Sequence, residues 1–390
     1  MIAAACFEPI RTITTARSFR QSREAWNDLA GDRVFYRWEW LYAWWQALGR
    51  GRLAIVVVCD HRGRWLGLAP WYRTRSLTRG PLVRLLGDGV ACTDYNGILA
   101  RPGFESRVAR RLAGIMTGGG AADTGLFSGT ERFEFEGHAG DQPALEALFG
   151  CWSGNGMRSR CEEFSATWKT ALPGDWSELE ASLGKSFRRK ARHAARRLQD
   201  PQAVAITCAT PAELDRHWDT FVRLHQRRRQ SLGEAGCFHD SRFERFLRNA
   251  CQGLAAAGKV RLHMLFWRDQ PVGTSLQLID GDTAQMYQSG FDPQYRNLEP
   301  GHLTFTWALQ SAIREGLAWY DFLRGDEMYK SRWKATRFPL YRTRLIPDRG
   351  SARWREPLEV LGGRVRRWTR SARSGNRQPF PVPGPRDARP

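Results

Sequence analysis

The stretch from Trp319 to Trp333, WYDFLRGDEMYKSRW, sets Asp321, Arg324, Asp326, Glu327 and Lys330 within ten positions of one another. Carboxylates and cations crowded in this way suit proton transfer and the binding of polar or charged groups. Trp319 to Leu323 is aromatic and apolar enough for a buried strand, and Gly325 breaks it among the charges. The charged residues therefore gather at a strand end, where open α/β sheets bind ligands. A capped turn accounts for the same residues. Asp326 or Glu327 would then stabilise the first turn of a helix over Met328–Ala335, with Arg324 and Lys330 as surface partners.

Such a strand needs a sheet to stand in, and the chain supplies two successive sets of elements. In the first half, Trp26, Leu29, Trp38, Leu41, Trp44, Trp45 and Leu48 recur at helical spacing. Strands are expected over Leu53–Cys59, Trp65–Tyr72, Leu82–Leu86, Tyr95–Leu99, Arg132–Glu136 and Glu163–Leu172, and helices over Phe104–Met116 and Pro143–Phe149. The second half reads as strand Val204–Cys208, helices Ala212–Gln230 and Ser241–Ala257, then strands Val260–Trp267, Gly273–Ile279 and Ala284–Phe291. Helix His302–Glu315, the strand at Trp319 and a last strand over Tyr341–Ile346 complete it. No residue-level repeat links the halves, so their likeness lies in element order alone.

Between them, Lys185–Gln199 places Phe187, Ala191, Ala194 and Leu198 on one helical face and seven basic residues elsewhere, with no acid. That surface is either simply solvated or a grip for an anionic substrate, a phosphate-bearing cofactor or RNA. Asp200-Pro201 ends the helix.

A chain of 390 residues exceeds what one core usually supports, and 42% hydrophobic with 12% aromatic residues suffices for two. The net charge of +20 is uneven: besides Lys185–Gln199, Pro347–Pro390 carries eleven arginines against four acids. Only six of the sixty basic residues are lysine, so the charge does not by itself mark a dedicated nucleic-acid binder. Eight scattered cysteines without a C-x-x-C pair fit reduced thiols in the cytoplasm rather than a disulfide framework or zinc site. No apolar run approaches the ~18 residues of a membrane helix. Met1–Phe7 lacks the basic leader of a signal peptide. The expectation is a protein inside the cell.

Several motifs fail on context. Gly253–Lys259 has the spacing of a phosphate loop, but Val260 stands where Ser or Thr should hold magnesium, and the order there is helix to strand. Gly87 and Gly89 begin a dinucleotide fingerprint that Cys92 interrupts. The sequence holds neither G-x-S-x-G nor H-E-x-x-H, and its eight histidines are dispersed. His217 and His225, eight apart on one expected helix, read as packing or surface residues.

The succession GTSLQLID, AQMYQSGFDPQ, YRNLEPGH, helix and YDFLRGDEMYKSRW resembles the C-terminal domain of the CelD-like acetyltransferases of bacterial polysaccharide synthesis, within the GNAT superfamily. The layout is similar to that of the FemAB-type aminoacyl transferases, and KSFRRKARHAARRLQ adds to the likeness. DYNGILARPG, at Asp94–Gly103, is the best-fitting stretch of the first half. The resemblance implies an α/β fold of two GNAT-like mixed-sheet domains in tandem. These would be a degenerate first domain over 1–172, an acyltransferase domain over 173–346, and a basic tail over 347–390.

It further implies acetyl-CoA or another acyl-CoA as donor, its pyrophosphate resting on Arg296, Asn297, Pro300, Gly301 and His302 at a helix start. The family's glycine loop is not intact here, because Asn297, Leu298, Glu299 and Pro300 precede the single Gly301. An aminoacyl-tRNA donor would also dispense with that loop. Pro300-Gly301 also reads as a plain helix-start turn. For the chemistry of acyl transfer, Asp321 or Glu327 would serve as base, Tyr287 would protonate the leaving group, line the tunnel or simply pack in the core, and Arg324, Asp326 and Lys330 would bind a sugar, lipid or other small acceptor. A third possibility is a non-catalytic basic adaptor of an envelope-assembly complex. In the tail, Leu358, Val360, Leu361, Val365 and Trp368 run beside arginines, the pattern of a helix on an anionic inner-membrane surface, though Gly362-Gly363 weakens it.

Overall fold

The computed structural model describes residues 8–77, 79–118, 125–151, 157–200, 202–325 and 327–347. The first half runs β1 (Ile10–Ile13), α1 (Ala16–Gln21), α2 (Arg23–Ala30), α3 (Trp38–Leu48), β2 (Arg52–Leu53), β3 (Ile55–Cys59), β4 (Trp65–Ala69), β5 (Trp71–Ser76), β6 (Gly80–Leu85), β7 (Leu99–Ala100), α4 (Glu105–Met116), β8 (Arg132–Ala139), α5 (Pro143–Gly150) and β9 (Met157–Ala171). The second runs α6 (Trp176–Ser182), α7 (Lys185–Leu198), β10 (Ala205–Ala209), α8 (Leu214–Gln230), α9 (Ser241–Ala255), β11 (Val260–Trp267), β12 (Gln270–Asp280), β13 (Thr283–Phe291), α10 (Pro300–Arg314), β14 (Trp319–Arg324), α11 (Tyr329–Arg332) and β15 (Thr336–Pro347).

Two sheets result. One has the order β1-β3-β4-β7, the other β10-β11-β12-β13-β14-β9-β15-β8-β6-β5-β2. The larger sheet is mixed: β13 and β14 run parallel, as do β6 and β8, and its other pairings are antiparallel. It is also continuous across both halves, because β9 pairs with β14 and with β15, and β15 pairs in turn with β8. A shared core reinforces this seam. Trp40 of α3 meets Phe246 of α9 edge to face with ring centres 4.8 Å apart, and Tyr287 of β13 at 5.2 Å. Burying aromatic faces of this size supplies several kcal/mol in general, roughly 2 to 3 per side chain.

The basic helix α7 forms as its periodicity predicts, with Ala191 and Ala194 buried and Phe187 and Leu198 half-buried. Two expectations change. The strand expected over Tyr95–Leu99 is a loop, in which Tyr95 takes a left-handed φ of 60° and only Leu99–Ala100 pairs. Side-chain and cross-loop bonds hold it, with Asn96 Nδ2 donating to the Leu86 carbonyl and the Asn96 amide to the Gly137 carbonyl. The strand expected over Trp65–Tyr72 divides at Pro70, sending β4 and β5 into different sheets. The tail and its apolar stripe lie outside the described residues.

Candidate functional site

The parallel pair β13 and β14 shapes the site. They share three register positions, Thr283 with Trp319, Ala284 with Tyr320 and Gln285 with Asp321. Beyond these, β13 continues along β12 as far as Phe291 opposite Gly273. Strand β14 parts from it through an irregularity between Asp321 and Arg324, where Leu323 has φ 54° and Gly325 φ 117°. A positive φ in a buried leucine is strained, and such strain collects at functional positions. Asp321 thus stands where the fork opens.

Asp321 is 0% exposed. Its Oδ1 accepts from the Leu323 amide at 2.8 Å, and its Oδ2 accepts from the Tyr95 phenol at 2.5 Å. Lys169, its cross-strand partner on β9, places Nζ 3.9 Å from Oδ2 and 4.3 Å from the centre of the Tyr95 ring. Burial pushes the Asp321 carboxyl up to about 7, against the opposing pull of Lys169 and the Tyr95 hydrogen bond. A carboxylate that titrates near neutrality can accept a proton from a nucleophile at working pH. Arg324, next but two along, gives its Nε and backbone amide to Asp94, which is fully buried, and stacks over Phe164.

The rest of the charged stretch braces the fork. Lys330 is 1% exposed and its Nζ donates to the carbonyls of Leu323, Arg324 and Gly325 at 3.0, 3.1 and 2.9 Å. Glu327, half exposed, pairs with the same Nζ at 2.9 Å. All the hydrogens of that ammonium are engaged within the chain, so Lys330 holds the irregular end of β14 in place. Instead of the helix over Met328–Ala335 there is the single turn α11, with no side-chain cap. Asp326 lies outside the described residues. Tyr287 is buried in the seam and its phenol donates to the Ala91 carbonyl at 2.7 Å, which fixes it there.

The other five expected residues do meet at one helix start. Asp292 caps the turn Pro293–Leu298, Glu299 follows in the left-handed region, and α10 begins at Pro300. Arg296 and Asn297 are exposed on this turn, and a Cβ on Gly301 would reach only ordinary contact with the Phe291 ring. His302 packs between Phe187 and Trp333, and burial lowers its pKa. Helix α7 flanks the turn: Arg197 donates to the Leu298 carbonyl at 2.9 Å, and Lys190 neutralises Glu299 at 3.3 Å. A helix N-terminus surrounded by cations suits a phosphate group, so these residues fit a pyrophosphate-bearing donor. Among the described residues, no group of His, Cys, Asp and Glu could hold a metal ion, and no helix is long and apolar enough to cross a membrane.

Residues 185–331, which contain the fork, α7 and α10, match the model of a family described as acetyltransferase (GNAT) domain. This segment is similar to GNAT acetyltransferase domains, and the match supports an acyltransferase. Solved structures extend the likeness across both halves. FemX is 12% identical, with 77% of this chain and 90% of that one covered at a TM-score of 0.55. L-PGS from Bacillus licheniformis is 10% identical, with 88% and 96% covered at 0.51. The C-terminal domain of a putative lysylphosphatidylglycerol synthetase from Agrobacterium fabrum is 9% identical, with 85% and 93% covered at 0.52. At such identities the likeness is one of fold, and it bears out the tandem mixed-sheet architecture expected from the sequence. Comparison with curated proteins finds no match.

Sequence reasoning placed Asp321 and Arg324 but missed their partners Tyr95, Asp94 and Lys169. The only local signal was the DYNG run beginning at Asp94, a polar turn set among apolar segments.

Proposed function

We propose that the protein transfers an acyl group from an acyl-CoA to an amine or hydroxyl of a sugar, lipid or polysaccharide precursor, in the CelD-like manner, with Asp321 as general base. The observation that carries this reading is the buried Asp321 carboxyl at the fork of β13 and β14, pushed up to about 7. The donor would supply an activated thioester, its phosphates held by Arg296, Asn297 and the first turn of α10. Asp321 would take the acceptor's proton, and Lys169 and Tyr95 would stabilise the carboxylate before and after transfer. Arg324, fixed by Asp94, and Lys330 with Glu327 would keep the fork open.

A second reading, an aminoacyl-tRNA donor, is favoured by one feature. Lys185, Ser186, Arg188, Arg189 and Arg192 of α7 line a shallow basic depression suited to a sugar-phosphate backbone. The name of one structural relative, a putative lysylphosphatidylglycerol synthetase, agrees with a lipid acceptor. The basic tail would bring the enzyme to an anionic membrane surface.

Thermal unfolding with acetyl-CoA, free coenzyme A or bulk tRNA separates the donors, since a ligand specific for the native state raises Tm. Acetyl-CoA is expected to raise Tm, tRNA to leave it unchanged, and Asp321→Asn to lower turnover ~100-fold while keeping the acetyl-CoA shift. A rise with tRNA alone would transfer the assignment to the second reading.

A further inference from the structure

A cavity of about 390 Å³ lies beside the fork, lined among others by Tyr36, Asp94, Tyr95, Asp141, Gln142 and Asp280. We propose that this cavity binds a small amine-bearing acceptor, and that the Tyr95 phenol passes the acceptor's proton to Asp321. This rests on the acyltransferase reading above and assigns the first half the acceptor.

Size is the first argument. A volume of this order holds a hexosamine or an amino acid and is small for an extended polymer. Charge is the second. Glu105, Asp141 and Asp280 face the cavity with Arg33 as its cation, and Arg33 gives Nε and Nη2 to the carbonyls of Ala30 and Leu29 and lies over the Tyr36 ring. Asp94 is matched by Arg324. The wall is therefore acidic in a chain of net charge +20.

Unmet hydrogen-bonding capacity is the third and independent argument. The buried Oε1 of Gln142, in the lining itself, has no donor, its Nε2 being given to the Tyr95 carbonyl at 2.7 Å. A buried acceptor left without a donor is costly, and an N–H-rich ligand would satisfy it.

The path to the base is the fourth. Asp321 is fully buried, whereas Tyr95 belongs both to the cavity wall and, through its 2.5 Å bond, to Asp321, with Thr167 Oγ1 2.7 Å from the same phenol. An ammonium in the cavity gives one proton to the Tyr95 oxygen as the phenol gives its own to the Asp321 carboxylate. The neutral nitrogen then attacks the thioester carbonyl. The N–C bond forms, the C–S bond breaks, the second nitrogen proton goes to the leaving thiolate, and Asp321 returns its proton to solvent along the same path.

The test is ligand-observed NMR on the full chain with matched pairs, glucosamine against glucose and 1,5-diaminopentane against 1,5-pentanediol, repeated on Asp141→Lys. One amine is expected to bind about tenfold more tightly than its hydroxyl counterpart, and Asp141→Lys, at an exposed position, to weaken it about tenfold. That amine should be acylated by acetyl-CoA, with thiol release as the readout. Tyr95→Phe should cut kcat ~100-fold at unchanged acetyl-CoA KM. It should also move the acid limb of the profile to higher pH, because the lost hydrogen bond had held the Asp321 pKa down against burial and Asp94, alongside Lys169. Equal binding of the hydroxyl compounds, no binding by either amine, indifference to Asp141→Lys, or a bound amine that is not acylated would each overturn the proposal. The acetyl-CoA melting shift is read separately, so an acceptor failure is not mistaken for a donor failure.

Discussion

Asp321 joins a buried position to a charge that the chain must tolerate. Its folded pKa of about 7 lies above that of an unfolded aspartate, so the native state holds the proton more tightly. The stability that this confers is complete below the unfolded value near 4 and is lost as pH rises through about 7. Between those limits the wild type should lose up to ~1.4 kcal/mol per pH unit relative to Asp321→Asn, which cannot ionise. Urea unfolding of both proteins at pH 5, 6 and 8 measures the difference. A gap that does not change with pH would mean that Asp321 titrates as an ordinary carboxyl. The sequence pointed to this residue, with Glu327 beside it as the other candidate base, because five charged residues crowd the end of one aromatic strand. It could not point to Tyr95, 226 positions away, because only the fold brings the phenol and the carboxylate together. It also gave Lys330 a ligand-binding role, whereas the structure engages that ammonium with three carbonyls, a pattern that only the irregular backbone after Leu323 creates.

At the scale of elements, local periodicity carried far where one face is apolar, as in α7, α8 and α9, and failed where side chains rather than a ladder fix the backbone. The loop at Tyr95–Leu99 is the example. Tyr95, Ile98 and Leu99 give it the aromatic and apolar content of a strand, but its hydrogen bonds go to Leu86 and Gly137. The turn before α10 was legible in another sense, since Pro at the first helical position and a preceding residue unable to continue the helix mark a start. What the helix start binds is testable there. Gly301 has room for a side chain, so Gly301→Asp should fold normally while placing a negative charge beside the first turn of α10. Acetyl-CoA affinity, measured by calorimetry, should fall by about tenfold or more, the range expected when an anion loses a helix N-terminus and meets a carboxylate. An unchanged affinity in the folded variant would take this turn out of the donor site.

For the whole molecule, element order suggested two halves in succession with a boundary at 172, yet the sheet is interwoven across that point. Strand β9, at the end of the first half, fills the gap between β14 and β15, and β15 runs back to pair with β8. Pairings between residues so distant in sequence leave no trace in local periodicity, because a strand's alternation is the same whichever partner it takes. The consequence is energetic as well as topological. A fragment over 173–347 would expose the edges of both β14 and β15 and uncover the face of α9 that Trp40 occupies. Unpaired edges beside an apolar face favour aggregation over folding. Each fragment, 1–172 and 173–347, should therefore be insoluble or unfolded when expressed alone, as read from its NMR dispersion. Co-expression should recover a soluble complex that unfolds in one transition by near- and far-ultraviolet circular dichroism. A 173–347 fragment that folds alone and acylates an amine at the wild-type rate would show that β9 and the first half are dispensable. It would also remove Tyr95 from the chemistry, since that residue reaches Asp321 only across the seam.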